Sequence, residues 1–340
     1  MSQESTSLLD AEAISALKNK KSLLAFSGGV DSTALFFLLE EAGVEFDIAL
    51  VNYNTRESSK AEEEYAKELS CSRGKRCFTL SVSPPTKNFE AEARRIRYEF
   101  FERLIQDEDF DALITAHQLN DRLEWFLMRL ARGAGIRELV GSGVAQKRDG
   151  YLLVKPLLKT TKNELYDYLK NNGLKYFEDE SNNDIKYERN HFRREFATPF
   201  LNAYKDGVRS SFDILEQEAA LFEVSFFQRG ALIAFCSVSY TVDISNIASA
   251  LKKIGYLPST AQRKEISKNY DAVIGGSFCV SKNENGVIFV SLYAKNVMEK
   301  RFKEECRAAK IPPKVRGYLS LSGIKPKEIA AELAVLQNSI

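Results

Sequence analysis

The chain predicts an α/β fold: a doubly wound, mainly parallel sheet followed by a smaller helical, α+β C-terminal domain. Three observations carry this. Short apolar segments near residues 23–27, 47–52, 77–82, 111–116 and 151–154 alternate with longer helical patterns, and that alternation builds parallel sheets from buried strands. A Gly28-Gly29 bend joins the first apolar run to the first helical pattern. Beyond about residue 205 the alternation stops, and helical patterns are followed by a hairpin signal.

Each element has its own warrant. Leu23, Leu24, Ala25 and Phe26 form the first strand, and the helix-compatible stretch that follows spans 31–42, ended by Gly43. Further helices fit 60–70, 88–106, 121–131 ended near Gly133, and 161–172 ended by Gly173 after an Asn-Asn pair. In the C-terminal part, 213–228 and 243–255 read as helices, and 275–293 as two strands around Asn283-Glu284-Asn285-Gly286. The expected division is 1–207 and 208–340. In doubly wound sheets ligands bind beyond the carboxyl ends of the strands, where 27–32, 52–56 and 117–121 would gather.

At 340 residues, 44% hydrophobic and 28% charged, the chain has the composition of a globular protein of up to two domains. Residues 1–21 carry acids and lack an apolar leader core, and no apolar run approaches the roughly 18 residues of a membrane span, so no membrane association and a cytoplasmic location are expected. Five cysteines without a Cys-x-x-Cys spacing argue against a disulfide framework, a structural zinc site or a locally held iron–sulfur cluster. A net charge of +1 conceals an asymmetry: residues 1–70 hold 6 Lys/Arg against 13 Asp/Glu, and residues 295–327 hold 10 against 3. The basic stretch suits a phosphate backbone or a solvated helix face.

Ser27, Gly28, Gly29, Val30, Asp31 and Ser32 form the first chemical constellation. A strand that ends in two glycines and opens a helix leaves backbone N–H groups aimed at an anion, and the helix dipole favours the same charge. The string is neither a Walker A loop nor a dinucleotide-type Gly-x-Gly-x-x-Gly. Asp31 at the helix start either caps the first turn or holds Mg²⁺ against phosphate oxygens. The second constellation follows the fourth strand: His117, Asp121 and Glu124, then Arg132-Gly133-Ala134-Gly135. A helix beginning near Asp121 would put both carboxylates on one face towards the crevice. His117 and His191 are the two histidines of the chain.

The first string resembles the signature of PP-loop ATP pyrophosphatases, which are adenine-nucleotide alpha-hydrolase-like in fold and split ATP between its α and β phosphates. With His-x-x-x-Asp-x-x-Glu and Arg-Gly-x-Gly, the chain resembles the tRNA(Ile)-lysidine synthetase family. The helix with Ala93, Arg94, Arg97 and Tyr98 is similar to that family's Ala-Arg-x-x-Arg-Tyr helix. Pro156-Leu157-Leu158, the set Asp179, Ser181, Asn182 and Asp184, and the run Tyr187 to Arg193 resemble its later motifs. The likeness covers residues 23 to about 200. Two departures stand out: Asn52-Tyr53-Asn54 where the family often has His, and Trp125 where Thr commonly follows the glutamate.

The resemblance implies ligation of L-lysine to C2 of the wobble cytidine of the CAU-anticodon isoleucine tRNA, through an ATP-derived adenylate. It implies ATP and Mg²⁺, with residues 1–207 as the ATP-binding catalytic domain and 208–340 as a tRNA-recognition region. Ser27 to Ser32 with Arg132 and Gly133 would bind ATP, and Asp31 would hold the metal through phosphates. Asp31, Arg97, His117, Asp121 and Glu124 would be catalytic, with Asp121 and Glu124 receiving the lysine amino groups. Arg94 and Arg95 rival Arg97. Arg189, Asn190, Arg193 and Arg194 would contact tRNA phosphates or close over the ATP site, a solvated helix start being the plainer reading. A homodimer stays open. The alternatives are a PP-loop tRNA thiolase, disfavoured because Cys71 and Cys77 lack motif context, and a non-catalytic tRNA- or nucleotide-binding module.

Overall fold

The computed structural model describes residues 8–54, 58–85, 89–178, 188–222 and 224–337. Residues 55–56, residue 88 and the motif positions Asp179, Ser181, Asn182, Asp184 and Tyr187 lie outside these. The chain divides into two compact units, Met1–Gln217 and Glu218–Ile340.

The first unit runs α1 (Ala11–Leu17), β1 (Ser22–Ala25), α2 (Val30–Glu41), β2 (Phe46–Asn52), α3 (Ser58–Ser72), β3 (Cys77–Ser81), α4 (Phe89–Asp107), β4 (Ala112–Ile114), α5 (Leu119–Leu130), α6 (Ile136–Val140), β5 (Ala145–Lys147), β6 (Leu152–Val154), α7 (Lys162–Asn171) and α8 (Glu188–Phe192). A π-helical turn, Arg193–Ala197, then leads into α9 (Thr198–Ala220). Among the described residues the sheet has six strands in the order β3-β2-β1-β4-β6-β5, parallel except for the antiparallel edge pair β5–β6. Because β1 lies between β2 and β4, the order reverses beside it, and the loops after β1 and β4 open into one crevice.

Alternation along β1 explains the two layers. Leu24 points to a core with α2 residues Ala34, Leu35 and Leu38, while Leu23 points to the opposite core with Phe100, Phe101 and Ile105 of α4. Strands covered on both faces read as continuous apolar runs, which is why they were legible. α5 packs through Leu119 and Leu123 on Ala197, Leu201, Val208 and Phe212.

The second unit holds β7 (Phe227–Arg229), β8 (Leu232–Cys236), α10 (Tyr240–Lys253), α11 (Thr260–Lys268), β9 (Asp271–Ile274), β10 (Phe278–Lys282), β11 (Val287–Leu292), α12 (Lys300–Ala308), α13 (Pro313–Leu321) and α14 (Pro326–Gln337). Its antiparallel sheet, β7-β8-β11-β10-β9, is also covered on both faces. Leu232, Ala234 and Phe289 pack with α12 to α14, and Ile233, Phe235 and Ile288 with α10 and α11. At Gly317 the helix α13 approaches the chain so closely that a Cβ would stand 1.9 Å from the Ala294 carbonyl oxygen.

Two expected boundaries move. The helix expected over 213–228 ends at Ala220, because Phe227–Arg229 pairs with β8 through Gln228 and Ile233. The division into units falls at 217/218 rather than 207/208, the helical stretch of α9 beyond the kink at Tyr204 staying with the first unit.

Candidate active site

The loop after β1 is shaped by its own residues. Gly28 has φ +75°, a region that favours glycine, and a Cβ there would meet the Phe177 ring at 3.5 Å. Phe177 N donates to the Gly28 carbonyl at 2.9 Å, bracing the bend. The Ser32 hydroxyl accepts from Ser27 N at 3.2 Å and donates to the Gly29 carbonyl at 3.2 Å, and the Ser27 and Ser32 hydroxyls lie 3.1 Å apart. Gly29 is the N-cap of α2, and no side chain caps this helix. Asp31 therefore does not serve as the cap, and its buried Oδ1 has no hydrogen-bond partner. Burial, then the Asp121 charge, pushes the Asp31 carboxyl up to about 6, with Lys162 and Arg193 opposing and Glu124 adding to the rise. A carboxylate in that condition suits a cation. Among the described residues no cluster of three or more His, Cys, Asp or Glu side chains that could hold a metal ion is present.

The loop after β4 supplies the second wall. α5 starts at Leu119, two residues before the expected point, because Gln118 and Asp121 form a capping box: Gln118 Oε1 accepts from Asn120 N at 2.6 Å and Asp121 Oδ2 from Gln118 N at 3.1 Å. Asp121 and Glu124 remain one turn apart on one face. His117 Nδ1 lies 2.9 Å from Thr115 Oγ1. Burial holds the His117 imidazole below its ordinary range, with Asp121 opposing and Lys155, Arg94 and Arg189 adding to the fall.

The acid pair is already engaged. Arg189 donates from Nη2 to Asp121 Oδ1 at 2.7 Å and from Nε to Glu124 Oε2 at 3.0 Å. Arg193 donates from Nε to Glu124 Oε1 at 2.6 Å and from Nη2 to Oε2 at 3.2 Å, with Asp121 Oδ1 at 3.7 Å. The Glu124 side chain is 1% exposed. Despite its burial, Asp121 is held below the usual carboxylate range by Arg189, the Gln118 N–H and Arg193. So in this structure Arg189 and Arg193 face the crevice acids, while Arg194 is exposed and pairs with Glu195 at 3.4 Å. Asn190 lies between them on α8. Phe196, Phe200 and Tyr204, at four-residue intervals, are exposed beside them.

Other expected residues have their own partners. Arg132 and Gly133 follow the far end of α5, about 18 Å of helix from its start, and Arg132 pairs with Glu188 of α8. Of the three α4 arginines weighed for the site, Arg95 is taken by Glu92 and Glu99, Arg97 is exposed and its charge acts on the Tyr53 hydroxyl, and Arg94 bears on His117. The two departures have structural work. Asn52 Nδ2 donates to Ser59 O at 3.2 Å and Glu63 Oε2 at 2.8 Å, and Tyr53 OH to Ala93 O at 2.6 Å. Trp125 Nε1 donates to Glu138 O at 2.9 Å, and its ring lies against Gly141 and under Arg129.

Two lysines were missed. Lys162, first in α7, places its charge by Asp31; a cation opposing the dipole just after a Thr161…Glu164 capping box was the available signal. Lys155, 9% exposed, donates to the Ser142 hydroxyl, and burial brings its ammonium down to about 8. Its tie orders the turn after α6.

A parallel sheet, a glycine bend at the switch point and an acid pair opposite define a nucleotide-binding PP-loop unit. The chain matches the PP-loop domain family over residues 2–199. It is 45% identical to the tRNA(Ile)-lysidine synthase of Wolinella succinogenes over 91% of this chain and 95% of that one, and 38% identical to the synthase of Helicobacter pylori over 91% and 92%. The chain belongs to the tRNA(Ile)-lysidine synthase family, whose members are ATP-dependent tRNA-modifying ligases. Among solved structures, the U34-tRNA thiolase NcsA from Methanococcus maripaludis superimposes with a TM-score of 0.52 at 21% identity, covering 65% of this chain and 80% of that one; that likeness shows the fold alone. Among the described residues no helix is long and apolar enough to cross a membrane.

Proposed function

We propose that the protein joins L-lysine to the wobble cytidine of the isoleucine tRNA with a CAU anticodon. The C2 oxygen of the cytosine attacks the α-phosphate of ATP and releases pyrophosphate. The lysine ε-nitrogen then attacks C2 and expels AMP. The carrying observation is that β1 and β4 are parallel neighbours, so the glycine bend with Asp31 and the start of α5 with Asp121 and Glu124 leave the same end of the sheet.

In this reading the amides at Gly28, Gly29 and Val30 and the Lys162 ammonium receive the triphosphate. Asp31 would hold Mg²⁺ against the phosphates, which supplies charge neutralisation there. Its orphaned Oδ1 fits that part. Asp121 and Glu124 orient the charged nitrogens of lysine, and Asp121, the more exposed of the two, takes the proton as the amine becomes nucleophilic. Neutral His117 offers a hydrogen bond without placing a second cation beside the ammonium. Arg194 and the exposed aromatic residues Phe196, Phe200 and Tyr204 suit unpaired nucleotides, and the second unit contributes tRNA recognition through its basic stretch. Burial raises the Cys77, Cys236, Cys279 and Cys306 thiols, and the exposed Cys71 is not part of a Cys-x-x-Cys pair, which disfavours the thiolase alternative.

The test is incubation with ATP, Mg²⁺, radiolabelled lysine and the CAU-anticodon isoleucine transcript, with the elongator methionine transcript as control. Label entering the first alone supports the reading. Label in neither, with both transcripts bound, contradicts it.

A further inference from the structure

Two carboxylates and two guanidinium groups meet at the proposed lysine site, so their formal charges cancel. An arriving ammonium ion would find no net negative charge there. The two arginines are not held alike. Arg193 makes two bonds to the buried Glu124 and belongs to the π-helical turn whose Ala197 is fully buried against α5. Arg189 bridges Asp121 and Glu124 from α8, a five-residue helix with no buried residue, and its side chain is 36% exposed. A second acid stands ready for it: Glu90 Oε1, on the exposed first turn of α4, lies 3.9 Å from Arg189 Nη1.

We propose that Arg189 is an internal competitor for the lysine site, occupying Asp121 until the charged nitrogen of the substrate displaces it towards Glu90, while Arg193 keeps Glu124. This rests on the reading of Asp121 as a lysine ligand. The exchange makes and breaks ion pairs only, one cation leaving Asp121 as another arrives, so its balance needs no further partner. It makes lysine affinity depend on the fraction of molecules in which Arg189 has left, and it gives the site a measurable affinity for guanidinium itself.

The experiment measures the lysine KM of the full chain at saturating ATP, Mg²⁺ and isoleucine transcript for Arg189→Ala, Arg189→Lys, Glu90→Gln and Asp121→Asn, with melting temperatures alongside. Arg189→Ala is expected to lower the lysine KM by about threefold to tenfold. Millimolar guanidinium chloride, set against equal KCl, then raises it again competitively. Arg189→Lys, whose single ammonium cannot bridge both acids, gives an intermediate KM, and Glu90→Gln a higher one. An unchanged or raised KM in both Arg189 variants, folded by their melts, overturns the proposal. An unchanged KM in Asp121→Asn instead overturns the underlying assignment of the lysine site, whatever the arginine variants do.

Discussion

Arg193 Nε sits 2.6 Å from Glu124 Oε1, and through that bond the turn before α9 is fastened to the first turns of α5. Glu124 accepts from two arginines in a place water does not reach. Its removal leaves two partly buried cations short of their partner. Glu124→Gln is therefore expected to destabilise the first unit by about 3 kcal/mol in urea unfolding, well beyond Asp121→Asn, whose Arg189 keeps Glu124. Equal losses in the two variants would contradict this ranking.

Asp31 gives a prediction with a definite pH sign. Its folded carboxyl titrates at about 6 against 3.8 for the free group, so folding is opposed by its ionisation: stability falls as pH rises from about 4 to 6 and stays reduced above. Asp31→Asn removes that cost. The variant should be more stable than the parent by on the order of 2 kcal/mol at pH 7.5, and the advantage should shrink as pH falls from 6 towards 4. The same variant should lose the thermal protection that ATP with Mg²⁺ gives the parent.

Arg94 and Arg97 of α4 are separable by NMR. Arg94 adds to the fall that burial imposes on the His117 imidazole, and Arg97 offsets part of the rise that burial imposes on the Tyr53 phenol. Arg94→Ala should raise the His117 pKa while leaving Tyr53 in place, and Arg97→Ala should raise the Tyr53 pKa while moving His117 less. Titration of the His117 ring protons in both variants checks the assignment.

Gly317→Ala places a methyl group 1.9 Å from the Ala294 carbonyl oxygen, where backbone rather than a movable side chain must yield. A loss of more than about 2 kcal/mol from the second unit is expected, with the first unit's ATP-induced stabilisation preserved. A neutral effect would mean that α13 shifts at little cost.

What was legible in the sequence was what is local. The β1 and β4 runs are short, apolar and closed by glycine or polar turns, and the capping residues Gln118 and Asp121 lie within four positions of each other. α1 has a local cap, since Asp10 Oδ1 accepts from Glu12 N at 2.9 Å, yet its seven residues are too short for a helical period to stand out. β5 is Ala-Gln-Lys, an edge strand recognisable only by its pairing with β6. The arginine–acid cluster was illegible because its partners are 65 to 69 positions apart, and a basic run reads equally as a nucleic-acid contact or as an internal partner. Arg132, expected from its motif to bind ATP, pairs with Glu188, the residue before Arg189, a partner that sequence spacing does not indicate.

The account turns on Asp121 receiving a substrate amino group beside the glycine bend. The lysine saturation curve of Asp121→Asn, taken at fixed ATP and isoleucine transcript, tests it most directly. The lysine KM should rise by about tenfold or more while the ATP KM stays within about twofold. A lysine KM equal to that of the parent, in a variant that folds and binds ATP, would contradict the account.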